Sequence, residues 1–257
     1  MRAATTAALA CALLGGAAVA CEADGVIVFP SPGAVVPTNV EFILEGAGTE
    51  QSRVSELAGT DRLMLHGKGG DEVPVKVERG WISPMHRVAV KLKPARALKP
   101  NVEYTLSVDK GLPKVRLIND LLGDNAFRWT AGTGPDRIPP KYVSKPGVAE
   151  GFYDKSRDGA MTRWLKLRTA VEDDSPVYFL VTLQRSRGSA AVQQYPVPME
   201  GGYLQLGHDP CSGAFGFDDG RAYKMQLLLY DSAGNKSPEK VSLEVSAPKP
   251  TQPTPAQ

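Results

Sequence analysis

Apolar positions recur along this chain with a period of two, in short runs broken by glycine and proline. "RVAVKLKP" sets Val88, Val90 and Leu92 against Arg87, Ala89, Lys91 and Lys93, the alternation of a strand buried on one face. "VEYTLSV" puts Tyr104 and Leu106 on one side, and "FRWTAG" does the same for Phe127 and Trp129. "LMLH" and "VPVKVE" flank Gly69, Gly70 and Asp71, which predicts a hairpin. β-branched residues crowd "VIVF" and "VEFILEG" near the start. No long 3.6-residue pattern competes, and "VRLINDLLG" is the best short helical candidate. The alternation pauses at "GTGPDRIPPK", residues 132–141, which has the proline and glycine content of a linker. It resumes in "WLKLRTAV", "PVYFLVTLQR", "GYLQLG", "RAYKMQLLLYD" and "KVSLEVS".

Two stretches of roughly 110 residues, each with about seven short strands, predict an all-β chain of two tandem β-sandwiches. Their expected limits are residues 21–133 and 134–246, followed by a Pro-rich, disordered tail at 247–257. The 26 glycines and 21 prolines supply the turns this requires. Each half also places a tyrosine early in a strand, a few residues after a turn: Tyr104 after "LKPN" and Tyr223 after "DDGR". That is the tyrosine-corner arrangement, in which the hydroxyl bonds a backbone group of the crossing loop.

Residues 1–20 read as a cleaved signal peptide, with Arg2 as their only charge, an Ala-rich apolar stretch and "AVA" before Cys21. As a membrane span the stretch is barely long enough, and Ala, Gly and Thr give little transfer energy. The chain is therefore expected to be exported, to the periplasm, the cell surface or the medium. A formal charge of +2 over 257 residues argues against nucleic acid as a partner. Cys11 leaves with the signal, so Cys21 and Cys211 remain. Cys21 has two competing fates. A lipid anchor would fit a lipoprotein signal, but Ala18 stands where such signals usually carry Leu, and "EADG" is a short tether before "VIVF". A Cys21–Cys211 disulfide is favoured, because an even pair in an oxidising compartment pairs. Contact with a membrane is expected only if Cys21 is lipidated.

"VFPSPGAVVPTNVEFILEG", "ALKPNVEYTLSV" and "FRWTAG" together resemble the bacterial Ig-like domain of S-layer and other envelope proteins. The matching features are Pro32-Gly33, Val36-Pro37-Thr38-Asn39, Leu98 to Tyr104, and Phe127 with Thr130, the last departing by one residue from the family spacing. "YKMQLLLYDSAGNKS" is similar to the strand and turn of Ig and fibronectin-type modules. The resemblance implies Ig-like sandwiches, and says little of function because sandwiches host many roles.

Candidate chemistry is sparse. His208 and Cys211 in "HDPC" lack the further ligands a zinc site needs, and as a Cys–His nucleophile they have no accompanying oxyanion-hole motif. Asp154, Ser156 and Asp158 would fill positions 1, 3 and 5 of a calcium loop, but Leu165 stands where the bidentate Glu belongs. "DSAGNKS" reads as a turn before it reads as an ion site. "GFDDGR" and "VEDDS" carry paired acids that read as loop charges rather than a glycosidase pair. Phe152, Tyr153 and Trp164 are core residues or, if exposed, a stacking surface for a sugar or a protein. Trp81 is equally open to both readings. The expectation is a binding or scaffolding protein of the cell envelope, with a protein or glycan partner, no cofactor and no catalysis. The alternative is a carbohydrate-binding or carbohydrate-active accessory module.

Overall fold

The computed structural model describes residues 25–58, 63–108, 117–119, 126–156, 159–188 and 191–250. The signal segment, Cys21, Asp158 and residues 251–257 lie outside them. The first half holds β1 (Gly25–Phe29), β2 (Val35–Val36), β3 (Phe42–Ala47), helix α1 (Glu50–Glu56), β4 (Leu63–Gly67), β5 (Asp71–Ile82), β6 (Arg87–Pro94), β7 (Glu103–Val108) and β8 (Arg128–Ala131). They join in one sheet of order β1-β3-β6-β5-β4-β7-β8-β2.

This sheet doubles over at β5. Residues 71–75 pair with β4 and residues 75–82 with β6, with a register shift between Val77 and Arg79. Such a bulge bends a strand and increases its twist, so one long strand serves both layers. Between the layers lie Phe42, Leu44, Leu65, Val90, Leu92 and Trp129, all buried. The hairpin before β5 turns on Gly69 and Gly70, both at positive φ (+91° and +84°), which glycine adopts without steric cost.

The second half is wholly antiparallel. It holds β9 (Lys141–Lys155), β10 (Met161–Glu172), β11 (Val177–Arg185), β12 (Gln193–Pro198), β13 (Tyr203–His208), β14 (Ala222–Asp231) and β15 (Lys236–Ser246). Three strands form one sheet, β13-β10-β9, and four form the other, β12-β11-β14-β15. Leu165, Leu167 and Leu206 of the first sheet pack with Phe179, Val181 and Leu227 of the second. The chain is thus all-β and sandwich-like, with one short helix among the described residues.

Four features depart from the sequence reading. Helix α1 was not expected; it buries Val54, and it lies so close to β3 that a Cβ on Gly46 would meet the Glu50 carbonyl oxygen at 2.6 Å. The expected helix "VRLINDLLG" is not helical at Leu117–Asn119, its described part. There Leu117 bridges Val26, and the Asn119 side chain bonds both the amide and the carbonyl of Val28. Strands β9 and β12 were unforeseen because Pro146, Gly147, Gly151, Pro196 and Pro198 interrupt them. Both are sheet-edge strands, where a missing amide donor is tolerated. Finally, Ala247 does not begin a disordered tail; it is buried, and its amide donates to Arg221 O at 2.9 Å.

The polar-reading face of β6 is also covered, together with the adjoining face of β3. Ile43 and Ala89 join Phe29 and Trp81 in the apolar cluster of the second half. Phe29 meets the Tyr178 ring edge-on at 5.5 Å, and the amide of Gly213 donates to Met85 O at 2.7 Å. Each half has its own interior, and an apolar seam joins them.

Candidate functional site

Ile43 and Glu45 of β3, with Glu41 just before it, are buried at alternate positions along the seam. At one end, the backbone amide of Glu41 donates to Ser232 O at 2.6 Å, and its carboxylate accepts from Lys91 (2.8 Å) and Lys93 (3.0 Å). In the middle Ile43 is packed into the seam. At the far end the two halves part and leave a groove of about 510 Å³.

Glu45 and Arg87 form one wall of this groove; Trp164, Lys166, Tyr203 and Gln205 form the other. Glu45 is buried and meets Arg87 at 2.8 Å. Burial pushes its carboxyl up, and the Arg87 guanidinium pulls it part of the way back. The opposite wall is the outer face of the β13-β10-β9 sheet. Strand β10 buries Arg163, Leu165 and Leu167 and turns Trp164 and Lys166 outward. Register pairs Trp164 with Phe152 on one side and with Gly207 on the other.

The three aromatic candidates therefore separate. Phe152 and Trp164 stack, with ring centroids 5.1 Å apart and planes 10° from parallel. Tyr153 turns to the opposite face, where the buried Arg163 guanidinium lies 4.6 Å from its ring centre. Arg163 also donates to Phe217 O at 2.7 Å and pairs with Asp219, so it is a structural cation. Trp81 is buried in the seam beneath Arg79. Tyr203, which the sequence reading did not single out, carries the Lys166 ammonium 4.4 Å from its ring centre. The signal for this wall was present as period two: the outward positions of "TRWLKLR" and "GYLQLGH" include Trp164 and Tyr203. Glu45 and Arg87 gave no such signal, because only tertiary pairing brings them near.

Tyr104 and Tyr223 make matching contacts. The Tyr104 hydroxyl accepts the Lys99 amide at 2.9 Å and donates to Asp71 at 2.6 Å. The Tyr223 hydroxyl accepts the Asp218 amide at 2.7 Å and donates to the Asp218 carboxylate at 2.8 Å. Hydrogen bonds from Arg96, Lys99 and Tyr104 hold the Asp71 carboxyl well below the usual carboxylate range. These residues fix loops onto sheets and lie outside the groove.

The polar motifs resolve into turns. Asp209 accepts the amides of Cys211 and Ser212, each at 2.8 Å, which makes "HDPC" an Asx turn. Asp154 is exposed on β9 and Ser156 bonds Ala160 across the β9–β10 turn. Their proposed partner Asp158 lies outside the described residues.

A different set of acids does converge: Asp136, Asp173 and Asp231 each place a carboxylate oxygen within 4.8 Å of the others. These are the residues among those described that could hold a metal ion. Their oxygens are also heavily used within the fold. Asp231 accepts the amides of Ala233 and Asn235 at 2.9 and 2.8 Å, Asp173 accepts that of Ser175 at 2.7 Å, and Asp136 accepts the Ser175 hydroxyl. Asn39 of the first half clasps the Asp136 backbone through both its amide atoms. The segment read as a free linker is thus fastened down. Burial, then the charges of Asp231, Asp136 and Asp174, push the Asp173 carboxyl up to about 6.

No family model matches the chain, and no curated protein does. Among solved structures, a pullulanase type I from Bacillus subtilis, complexed with maltose, overlaps 82% of this chain at 9% identity and a TM-score of 0.25. This chain spans 24% of that protein, and a likeness so slight carries no argument.

Proposed function

We propose that this is an exported, non-catalytic binding or scaffolding protein of the bacterial cell envelope, built from two Ig-like sandwich modules. The observation that carries the reading is the groove where the modules part. Its walls stand on strands of two hydrogen-bonded sheets, and an apolar seam holds them at a fixed separation. Rigid walls lower the ordering cost of binding, and clefts between modules are common ligand sites. The 3+4 division of strands in the second half supports a fibronectin-type module there, and the paired tyrosine corners support the Ig-like resemblance.

The Cys21–Cys211 disulfide belongs to the same proposal. Gly25 pairs with Ala47, Ala47 pairs with Arg87, and Arg87 reaches Ser212 at 3.4 Å. The start of β1 therefore lies two strands from Arg87, whose side chain reaches the turn that carries Cys211. Strands are about 4.8 Å apart, and the four residues from Cys21 to Gly25 reach about 13 Å. A bridge there would tie the N-terminus to the rim of the groove.

The test is retention of the purified mature protein on envelope fractions of the source bacterium. Saturable retention is expected, weakened by bulky substitution at Gln205 in the groove. Absence of retention on any fraction overturns the reading.

A further inference from the structure

We infer that the exposed face of Trp164 is a stacking platform for one ring of an uncharged polysaccharide; this rests on the binding role proposed above and specifies its ligand. An indole has two faces. Phe152 covers one of them. On the other flank the cross-strand neighbour is Gly207, which has no side chain to lay over the ring. Glycine is imposed at that position: its φ is +149°, and a Cβ there would meet the Arg163 carbonyl oxygen at 2.0 Å and Trp164 Cα at 2.6 Å. The same close strand approach that demands glycine keeps a side chain at 207 off the indole, which is half-buried and lines the groove.

What surrounds that open face selects among ligands. A pyranose ring offers an apolar face of C–H groups and a rim of hydroxyls. The platform would take the face, and Lys166 and Gln205 stand on the same outward row to meet the rim. Lys166 offers donors, and the Gln205 amide offers both donor and acceptor. Tyr203 lies four positions along from Gly207, about 13 Å away at strand rise.

Charge argues against anionic ligands. Glu45 is matched by Arg87 at 2.8 Å, and Asp209 is engaged by two backbone amides. The remaining charges in the lining, Lys166 and Glu200, offset each other. The lining thus holds two cations, Arg87 and Lys166, against three carboxylates, Glu45, Glu200 and Asp209, and has no cationic surplus for a phosphate backbone or a uronic acid chain.

The experiment is affinity electrophoresis of the full mature protein in gels containing, separately, a β-glucan, a xylan, a galactomannan, amylopectin, and alginate as the anionic control. Retardation by at least one uncharged polysaccharide is expected, with a blue shift of the Trp164 emission on titration. Trp164→Ala should weaken that retardation at least tenfold, Trp164→Phe should weaken it less, and Gln205→Ala should weaken it severalfold with an unchanged melting curve. Three results overturn the inference: none of the uncharged polymers retards the protein, alginate alone does, or Trp164→Ala and Gln205→Ala both bind as the parent does. Envelope retention measured in parallel separates the two levels. Retention that survives periodate oxidation of the glycans but not protease treatment preserves the binding role and refutes the sugar ligand.

Discussion

Replacing Asp173 with asparagine should stabilise this protein at neutral pH. Asp173 sits with Asp136 and Asp231 in a partly buried cluster, and its carboxyl is pushed up from 3.8 to about 6, chiefly by burial. A carboxyl raised in the folded state costs stability once it must ionise. Below pH 3.8 both folded and unfolded chains hold the proton, and the group is silent. Between 3.8 and about 6 the unfolded chain releases the proton while the folded one keeps it, so stability falls as pH rises. Above about 6 the cost is complete. Each tenfold is worth about 1.4 kcal/mol, so the gap caps the effect at ~3 kcal/mol. Solvent access to Asp173 reduces this to about 1–2 kcal/mol. Asparagine keeps the oxygen that accepts the Ser175 amide, and its NH₂ can donate to Asp231. Urea unfolding of parent and variant, in chelator, at pH 7.5 and 4.0 provides the assay. The variant should gain about 1–2 kcal/mol at pH 7.5 and little at pH 4.0. Destabilisation at pH 7.5, or an equal difference at both pH values, would refute the reasoning.

Tyr104→Phe removes the acceptor of the Lys99 amide and a donor to Asp71, and should cost about 1–3 kcal/mol in urea unfolding; a change below about 0.5 kcal/mol, the range of neutral substitutions, would mean the corner is decorative. Trp81→Ala empties part of the seam and should lower stability by about 3 kcal/mol. Calorimetry should then resolve two transitions where the parent gives one, and an unchanged single transition would count against coupling through the seam. Intact mass of the mature protein should be two hydrogens short of the reduced value if Cys21 and Cys211 are bonded, and Cys211→Ser should lower the melting temperature. Closing a loop of about 190 residues is worth up to about 5 kcal/mol; a diacylglyceryl mass increment at Cys21 would decide for the lipid instead.

How far the fold could be read from sequence varied with position in the sheet. Central strands such as β6 and β10 were legible because one row of their side chains faces a core, as Val88, Val90 and Leu92 do. Edge strands β9 and β12 were not, since their glycines and prolines mimic turns. Ala89 on β6 was grouped with polar neighbours, because nothing local reveals that a second half will cover that face. The same holds for the site. Trp164 stood out as an aromatic residue on an alternating strand. Its open face depends on Gly207, some forty positions later, and its opposite wall on Glu45 and Arg87 from the other half. Such relations exist only after register is set. The acidic cluster was obscured for the same reason: Asp173 was read as a loop charge, Asp231 as a turn residue and Asp136 as part of a linker.

The seam behaves as a clamp. Both ends are fastened: near Glu41 the backbone of one half grips a loop of the other, and beside the groove the Gly213 amide bonds Met85 O and Arg87 reaches Ser212. The separation of the jaws is set by these fastenings. Substitutions around Asn39, Asp136 or Gly234, remote from any bound ligand, would therefore reset the bite of the groove and with it the girth of the chain it admits.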